Sequence, residues 1–285
     1  METSDLQVTM ANELIRAAHN LSLMEKRVLM LAVSKLDSSH FNSPFNPTID
    51  LSVTDFTNEF GINQDSAYRE LKKAVRGVRK RYVRFFYKNK RGAMCETDVS
   101  WTTKATYTDR EGLIQLSLNR DLSPLLIHLK GHFTQYKLSR AGALRSVYSW
   151  RLFELLMQFK RTGILKIDLD EFYNSMEAAP TYRKDFGLLR TRIIEPAVKE
   201  IREKDGLKVK WEAIKTGRKV TALKFTFPVE QQNSLPLPKP IPPQPKPPAL
   251  TKAQEAAREK AADLAHLKKL AELSGEPLEK LLKRP

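Results

Sequence analysis

Tyr182-Arg-Lys-Asp-Phe-Gly-Leu-Leu-Arg-Thr-Arg-Ile-Ile-Glu-Pro-Ala-Val-Lys-Glu-Ile-Arg202, followed by Val209-Lys-Trp-Glu-Ala-Ile-Lys-Thr-Gly-Arg-Lys-Val-Thr-Ala-Leu-Lys-Phe-Thr-Phe227, reads as a basic helix feeding a basic hairpin. Apolar residues at Tyr182, Phe186, Leu189, Ile193, Ala197 and Ile201 recur at steps of three and four, which makes one buried stripe on a single helix. Gly206 supplies a stop, and the turn over 215–219 separates two strand-like runs. A helix with a cationic outer face leading into a hairpin with a cationic tip outlines a winged helix. Pro196 sits awkwardly inside it, because proline removes one helical hydrogen bond and crowds the preceding turn. From Arg183 to Pro228 there are thirteen Lys or Arg against six Asp or Glu, a balance of +7.

Working outward, the same arrangement occurs earlier in the chain. A strand at Ile49-Asp-Leu51 leads into a helix over Thr54–Phe60 that ends at Gly61. A second amphipathic helix, 65–80, turns Tyr68, Leu71, Val75 and Val78 inward. Strands are expected over Tyr82–Tyr87, Met94–Thr103 and Leu113–Leu118. Between Arg69 and Arg91 eleven basic residues face one acid, a balance of +10. Ile49-Asp-Leu-Ser-Val-Thr-Asp-Phe56 resembles Leu165-Lys-Ile-Asp-Leu-Asp-Glu-Phe172, and Tyr68-Arg resembles Tyr182-Arg, so the order strand, short helix, turn, basic helix, strands recurs. We read an internal duplication: an α+β chain of two tandem winged-helix domains, divided as 1–132 and 133–230.

The remaining segments support these two units. Asn12–Asn20 reads as a short helix and Ser22–Leu36 as a longer one, in which Ser22 and Glu25 form a capping box. Residues 42–47 form a loop, and a strand over Phe133–Leu138 precedes a helix over Gly142–Lys160 with Val147, Trp150, Phe153, Leu156 and Met157 as its core face. After Pro228 the composition changes: residues 235–248 hold eight prolines, which favours an extended linker, and 251–273 reads as a helical tail.

The chain has 285 residues, enough for roughly two domains. A net charge of +16 calls for a polyanionic partner, nucleic acid first and an anionic membrane second. No apolar run reaches the ~20 residues of a membrane span, and the acidic start Met-Glu-Thr-Ser-Asp is unlike a secretory leader. One cysteine, Cys95, fits a reducing cytoplasm and reads as a small half-buried strand residue.

Enzymatic constellations are missing. A phosphate-binding loop needs Gly-Lys followed by Ser or Thr, and no Gly-Lys pair occurs. His128 and His132 have helical spacing but lack the glutamate of a zinc-protease motif, so they read as surface or helix-end residues. Asp168, Asp170 and Glu171 are the best acidic trio for two-metal chemistry, yet Asp168 with Glu171 is equally a helix cap. No cofactor and no metal are therefore expected. The chemistry left is electrostatic recognition, by Arg69, Lys72, Lys73, Arg76, Arg79 and Lys80 on the first helix, Arg183, Lys184, Arg190, Arg192 and Lys199 on the second, and Lys215, Arg218 and Lys219 on the turn. Arg192 is the first choice for reading base edges, and the turn cations for holding phosphate.

The combination of 12–32, of Tyr182-Arg-x-x-Phe-x-x-Leu-Arg-x-x-Ile-Ile-x-Pro-Ala-Val-x-Glu-Ile and of Lys215-x-Gly-Arg-Lys-Val-x-x-Leu-x-Phe-x-Phe resembles the plasmid replication initiator Rep proteins of the Rep_3 (RepA/RepE-like) superfamily, over roughly residues 10–228. Pro196 belongs to that pattern. The resemblance implies a DNA-binding initiator, not an enzyme. As a monomer it would bind directly repeated origin sequences, the iterons. As a dimer formed through the first domain it would bind an operator inverted repeat and repress its own gene. It also implies origin melting without nucleotide hydrolysis, recruitment of the host initiator, replicative helicase and chaperones, and a bacterial, plasmid-encoded, cytoplasmic protein with no membrane partner. The apolar face of Ser22–Leu36 is the expected neighbourhood of the dimer contact. Two alternatives stay open: a winged-helix transcriptional regulator without a replication role, and a nucleic-acid polymerase or primase.

Overall fold

A computed structural model describes residues 6–36, 47–108, 111–127, 129 and 132–229, all within one compact unit that ends at Gln231. The proline-rich linker, the helical tail, His128 and residues 42–46 of the expected loop lie outside the described residues.

The chain opens with β1 (Gln7–Ala11) and α1 (Asn12–Arg16), then α2 (Leu23–Ser34). The capping box at the start of α2 forms as expected: Ser22 Oγ accepts from the Glu25 N–H, and the Glu25 carboxylate accepts from the Ser22 N–H at 2.7 Å. β2 (Thr48–Ser52), α3 (Val53–Phe60) and α4 (Gln64–Val78) follow, with Gly61 in the left-handed conformation that closes α3. β3 (Tyr82–Lys88) and β4 (Met94–Ser100) form one antiparallel hairpin, while β5 (Thr102–Thr108) and β6 (Leu113–Leu118) join β2 in a three-stranded sheet of order β2-β6-β5. The short α5 (Ser123–Leu126) and β7 (Phe133–Lys137) lead to α6 (Leu138–Gly142) and α7 (Val147–Met157). The last part holds β8 (Ile164–Asp168), α8 (Leu169–Ser175), a segmented helix over 180–204, and the hairpin β9 (Lys210–Thr216) and β10 (Lys219–Thr226), in a sheet of order β8-β10-β9.

The duplication is physical. Helix, strand, helix, longer helix and hairpin occur as α2-β2-α3-α4-β3-β4 and again from α7 to β10. Ile49, Leu51 and Phe56 are buried in the first copy, and Leu165, Ile167 and Phe172, each 116 positions on, are buried in the second. Two tandem winged helices are thus the architecture.

Four local expectations differ from the structure. The single strand over Met94–Thr103 is two strands, because Trp101, fully buried, turns into the core and moves the chain from one ladder to another. The helix over Gly142–Lys160 is the shorter α7, with a separate α6 ahead of it. Strand β1 was not anticipated, although Val8 and Met10 alternate inward. It pairs with β7 in register from Gln7↔Lys137 to Ala11↔Phe133, so the strand at the start of the 133–230 segment bonds to the opening of the chain. Finally, the central stripe of α2 is taken up by the core: Val28, Leu29 and Ala32 are completely buried, whereas Leu23, Met24 and Leu36 at its two ends are half-buried.

Histidine 19 lies in the core rather than at the surface. Its Nε2 is 2.7 Å from the Leu14 carbonyl and its Nδ1 is 3.2 Å from an Arg151 nitrogen, so the neutral form with the proton on Nε2 satisfies both neighbours. Burial, with the positive charges of Arg151 and Lys26, holds its pKa well below the ordinary 6.5. The unfolded chain therefore binds a proton that the folded chain refuses. Stability from this residue is complete above pH ~6.5 and is lost as pH falls below it. In thermal melts, wild type is expected to lose more Tm between pH 7.5 and 5.5 than His19→Gln, whose amide can donate to Leu14 and accept from Arg151. Equal pH slopes in the two proteins would rule this out.

Candidate nucleic-acid interface

The first basic helix, α4, starts at Asn63, whose Oδ1 accepts from the Asp65 N–H at 2.9 Å. Ala67, Leu71, Ala74, Val75 and Val78 face the core, so the helical period puts Arg69, Lys73, Arg76, Arg79 and Lys80 in solvent. Lys72 is half-buried, with its ammonium 5.6 Å from the Tyr68 ring centre and 5.5 Å from that of Tyr107; Arg76 lies 5.7 Å over the same Tyr107 ring. These aromatic faces orient the cations.

Beside α4 a groove of about 550 Å³ is lined by Lys73, Arg76, Gly77 and Lys80 together with Ser22, Met24, Glu25 and Glu70. The Glu25 carboxylate is already engaged, accepting from Arg81 at 3.0 and 3.1 Å and from the Ser22 amide. Gly77 makes this possible: a Cβ there would fall 2.1 Å from Glu25 Oε1. With that acid neutralised internally, the groove presents mainly cations.

The hairpin after α4 carries cationic residues that sequence reasoning left out of the site. Lys88, Lys90 and Arg91 are all exposed at the β3–β4 tip. Asn89 Oδ1 accepts from the Arg91 and Ala93 amides at 2.9 and 3.0 Å, and Gly92 takes φ 80°. The Asn-Lys-Arg-Gly turn was the signal available for them.

In the second repeat the basic helix is not continuous. It runs as α9 (Pro180–Lys184), α10 (Phe186–Leu189), a π-helical turn (Arg190–Ile194) and α11 (Glu195–Lys204). Asp185 is extended and caps α10, its carboxylate accepting from the Gly187 and Leu188 amides at 2.7 and 3.2 Å. The π turn resolves the awkward proline. The Glu195 N–H reaches back to the Arg190 carbonyl, and widening the helix there admits Pro196 at the start of α11, where its missing N–H is tolerated. Leu189, Ile193, Ala197 and Ile201 are buried as expected, and Ile194 joins them because the wider turn shifts the phase.

The predicted cations of this stretch separate into two groups. Arg183 turns back onto α8, bonding Asn174 Oδ1 at 2.8 Å and the Ala178 carbonyl at 3.4 Å, with its guanidinium 5.4 Å from the Tyr173 ring. Arg190 pairs with Glu195 at 3.4 Å and Lys199 with Glu203 at 3.9 Å, exposed pairs worth little to stability. Arg192 and Lys184 project into solvent with no ion pair among the described residues. At the β9–β10 turn Gly217 takes φ 62°, and Lys215, Arg218 and Lys219 are exposed.

The acidic trio stands at the start of α8. Asp168 occupies its N-cap position without a capping bond from its side chain, and the Glu171 carboxylate pairs with Arg16, so the expected box does not form. His132 is exposed, and Cys95 is a half-buried residue of β4, as read. Among the described residues no helix is long and apolar enough to cross a membrane.

Comparison with known proteins places this geometry. Residues 7–157 match the family described as "Initiator Replication protein, WH1", and residues 168–227 the one described as "Initiator Rep protein, WH2". The first match runs through α7, the helix that begins the second repeat by element order. An "Uncharacterized 27.6 kDa protein" of Escherichia coli is 28% identical over 222 residues, covering 75% of this chain and 92% of that one. A "Probable replication protein rep" of Bifidobacterium longum (strain NCC 2705) is 26% identical over 114 residues, covering 40% of this chain and 38% of that one. Among solved structures, the Pi initiator protein in complex with iteron DNA superposes with a TM-score of 0.63 at 22% identity, covering 80% of this chain and 98% of that one.

Proposed function

This chain belongs to the initiator replication protein family, and from that premise we propose that it binds repeated origin sequences in double-stranded DNA with both of its winged helices. The observation that carries the reading is the recurrence, in each repeat, of a helix with exposed cations followed by a hairpin with a cationic tip: α4 with Lys88, Lys90 and Arg91, and α9–α11 with Lys215, Arg218 and Lys219. Helices seat in the major groove while hairpin tips lie along phosphate. The fold shared with a protein crystallised on iteron DNA supports the same assignment.

Its finer consequences follow the family. The monomer binds iterons and opens the origin. It recruits the host initiator, replicative helicase and chaperones, acts in the bacterial cytoplasm, and neither hydrolyses nucleotide nor nicks DNA. A dimer binds an inverted repeat and represses its own gene. With Leu29 buried, the self-contact does not use that side chain.

A footprint on the origin of the encoding replicon tests the reading. Two helices in successive major grooves are separated by about one turn, roughly 34 Å, so a single chain should protect about two turns. Protection of one groove alone would contradict it. Loss of plasmid copy number in a binding-deficient variant separates an initiator from a transcriptional regulator, which would leave copy number intact.

A further inference from the structure

The two repeats meet through charges withdrawn from water. Lys26 of α2 and Glu154 of α7, the first helices of the two repeats, pair at 2.7 Å with both side chains completely buried. Both carboxylate oxygens are used, since Oε2 takes the Lys26 ammonium and Oε1 accepts from the Tyr136 hydroxyl at 2.7 Å. That hydroxyl in turn accepts from the Trp150 indole at 3.2 Å. At the rim, Glu177 accepts from the His19 amide at 2.7 Å and from the Asn20 amide. Asn20 (φ 48°) and Glu177 (φ 52°) are the non-glycine residues with positive φ among the described residues, and they bond to one another. Strained backbone persists only where its surroundings over-determine it, and it concentrates at functional sites.

The position of this joint gives it a consequence. Asn20 stands two residues before the Ser22 cap of α2, and Glu177 stands between α8 and the α9–α11 stretch. Apolar packing alone tolerates sliding of one helix over another. A buried ion pair does not, because any other register strands two charges out of water. We propose that this joint is a positioning device that holds the two winged helices at one separation, so that Glu154 and Glu177 determine the spacing of the two half-sites read in DNA. The inference rests on the reading that both repeats engage one duplex.

The test uses the full chain. Wild-type protein first enriches its preferred duplex from a randomised pool, and that duplex is then remade with two base pairs inserted between the protected half-sites. The insertion moves the second half by about 7 Å and turns it by about 70°. Wild type should lose about 100-fold in affinity, falling toward its binding of random duplex. Lys26→Met with Glu154→Gln, which removes both charges and keeps an acceptor for Tyr136, should lose less than tenfold on insertion, and so should Glu177→Ala. Cooperative melting is required of each variant, and if the double variant does not fold, Glu177→Ala decides. A merely stabilising joint would shift the melt and leave the spacing penalty at its wild-type value, and that result would overturn the proposal while leaving DNA binding intact. Failure of wild type to enrich any sequence would overturn the DNA-binding reading, and this inference with it.

Discussion

Glu154→Ala is expected to remove about 3–5 kcal/mol of unfolding free energy, the usual cost of leaving one member of a buried ion pair alone. Lys26 is already strained by burial, which lowers its pKa, while Glu154 is the group that opposes this shift most strongly. Without the carboxylate, the ammonium must shed its proton or draw water into a site with no exposure, and the Tyr136 hydroxyl loses its acceptor. A domain of this kind holds only about 5–15 kcal/mol in total, so the variant should unfold at markedly lower urea with an unchanged slope. Indole fluorescence reports the transition, and in a protein with Trp101 and Trp211 replaced by Phe it reports on Trp150, whose ring centre is 6.0 Å from the Lys26 ammonium. A loss below about 1 kcal/mol would show that the pair is solvated in solution.

Arg192→Ala should cost the specific duplex about 1–3 kcal/mol while leaving random duplex nearly unaffected, the loss expected of an arginine paired bidentately with guanine. The structure favours Arg192 over its neighbours for this role. Arg183 turns back onto α8 and Arg190 has Glu195 beside it in an exposed, weak pair, whereas Arg192 stands exposed in the π turn without an ion pair among the described residues. Arg218→Ala should weaken both duplexes alike and flatten the dependence of log affinity on log salt by about 0.9, one phosphate contact. Titrations of both variants on selected and scrambled duplexes across a salt series decide the matter. Equal losses on both duplexes for Arg192→Ala, with a selective loss for Arg218→Ala, would exchange the two roles.

The sites these experiments address were unequally visible in the chain. Solvent-facing cations on α4 were legible because the 3.6-residue period assigns inside and outside from neighbours alone, and those at the β9–β10 tip because the glycine turn between two strand-like runs marks a hairpin end. The capping box of α2 and the matched burial of Ile49, Leu51 and Phe56 with Leu165, Ile167 and Phe172 were legible for the same reason: each depends on residues within a few positions. The basic residues at the β3–β4 tip were counted as charge but not placed in the site, although the Asn-Lys-Arg-Gly turn marks them locally as a hairpin tip. Arg183 was placed outward by its period, and its turn toward α8 depends on Tyr173, Asn174 and Ala178 meeting it after the break at Asp185.

Short-range pattern therefore determined the class of the fold, the duplication and the two basic surfaces, because helical period, strand alternation, caps and turns are local properties of the chain. Contacts between residues far apart decided the rest. The β1–β7 ladder joins Gln7 to Lys137, and the Lys26–Glu154 pair spans 128 positions. Neither charged residue differs locally from a solvated one, since burial of a charge is set by whether a partner arrives opposite it, and that partner is chosen by the packing of the whole core.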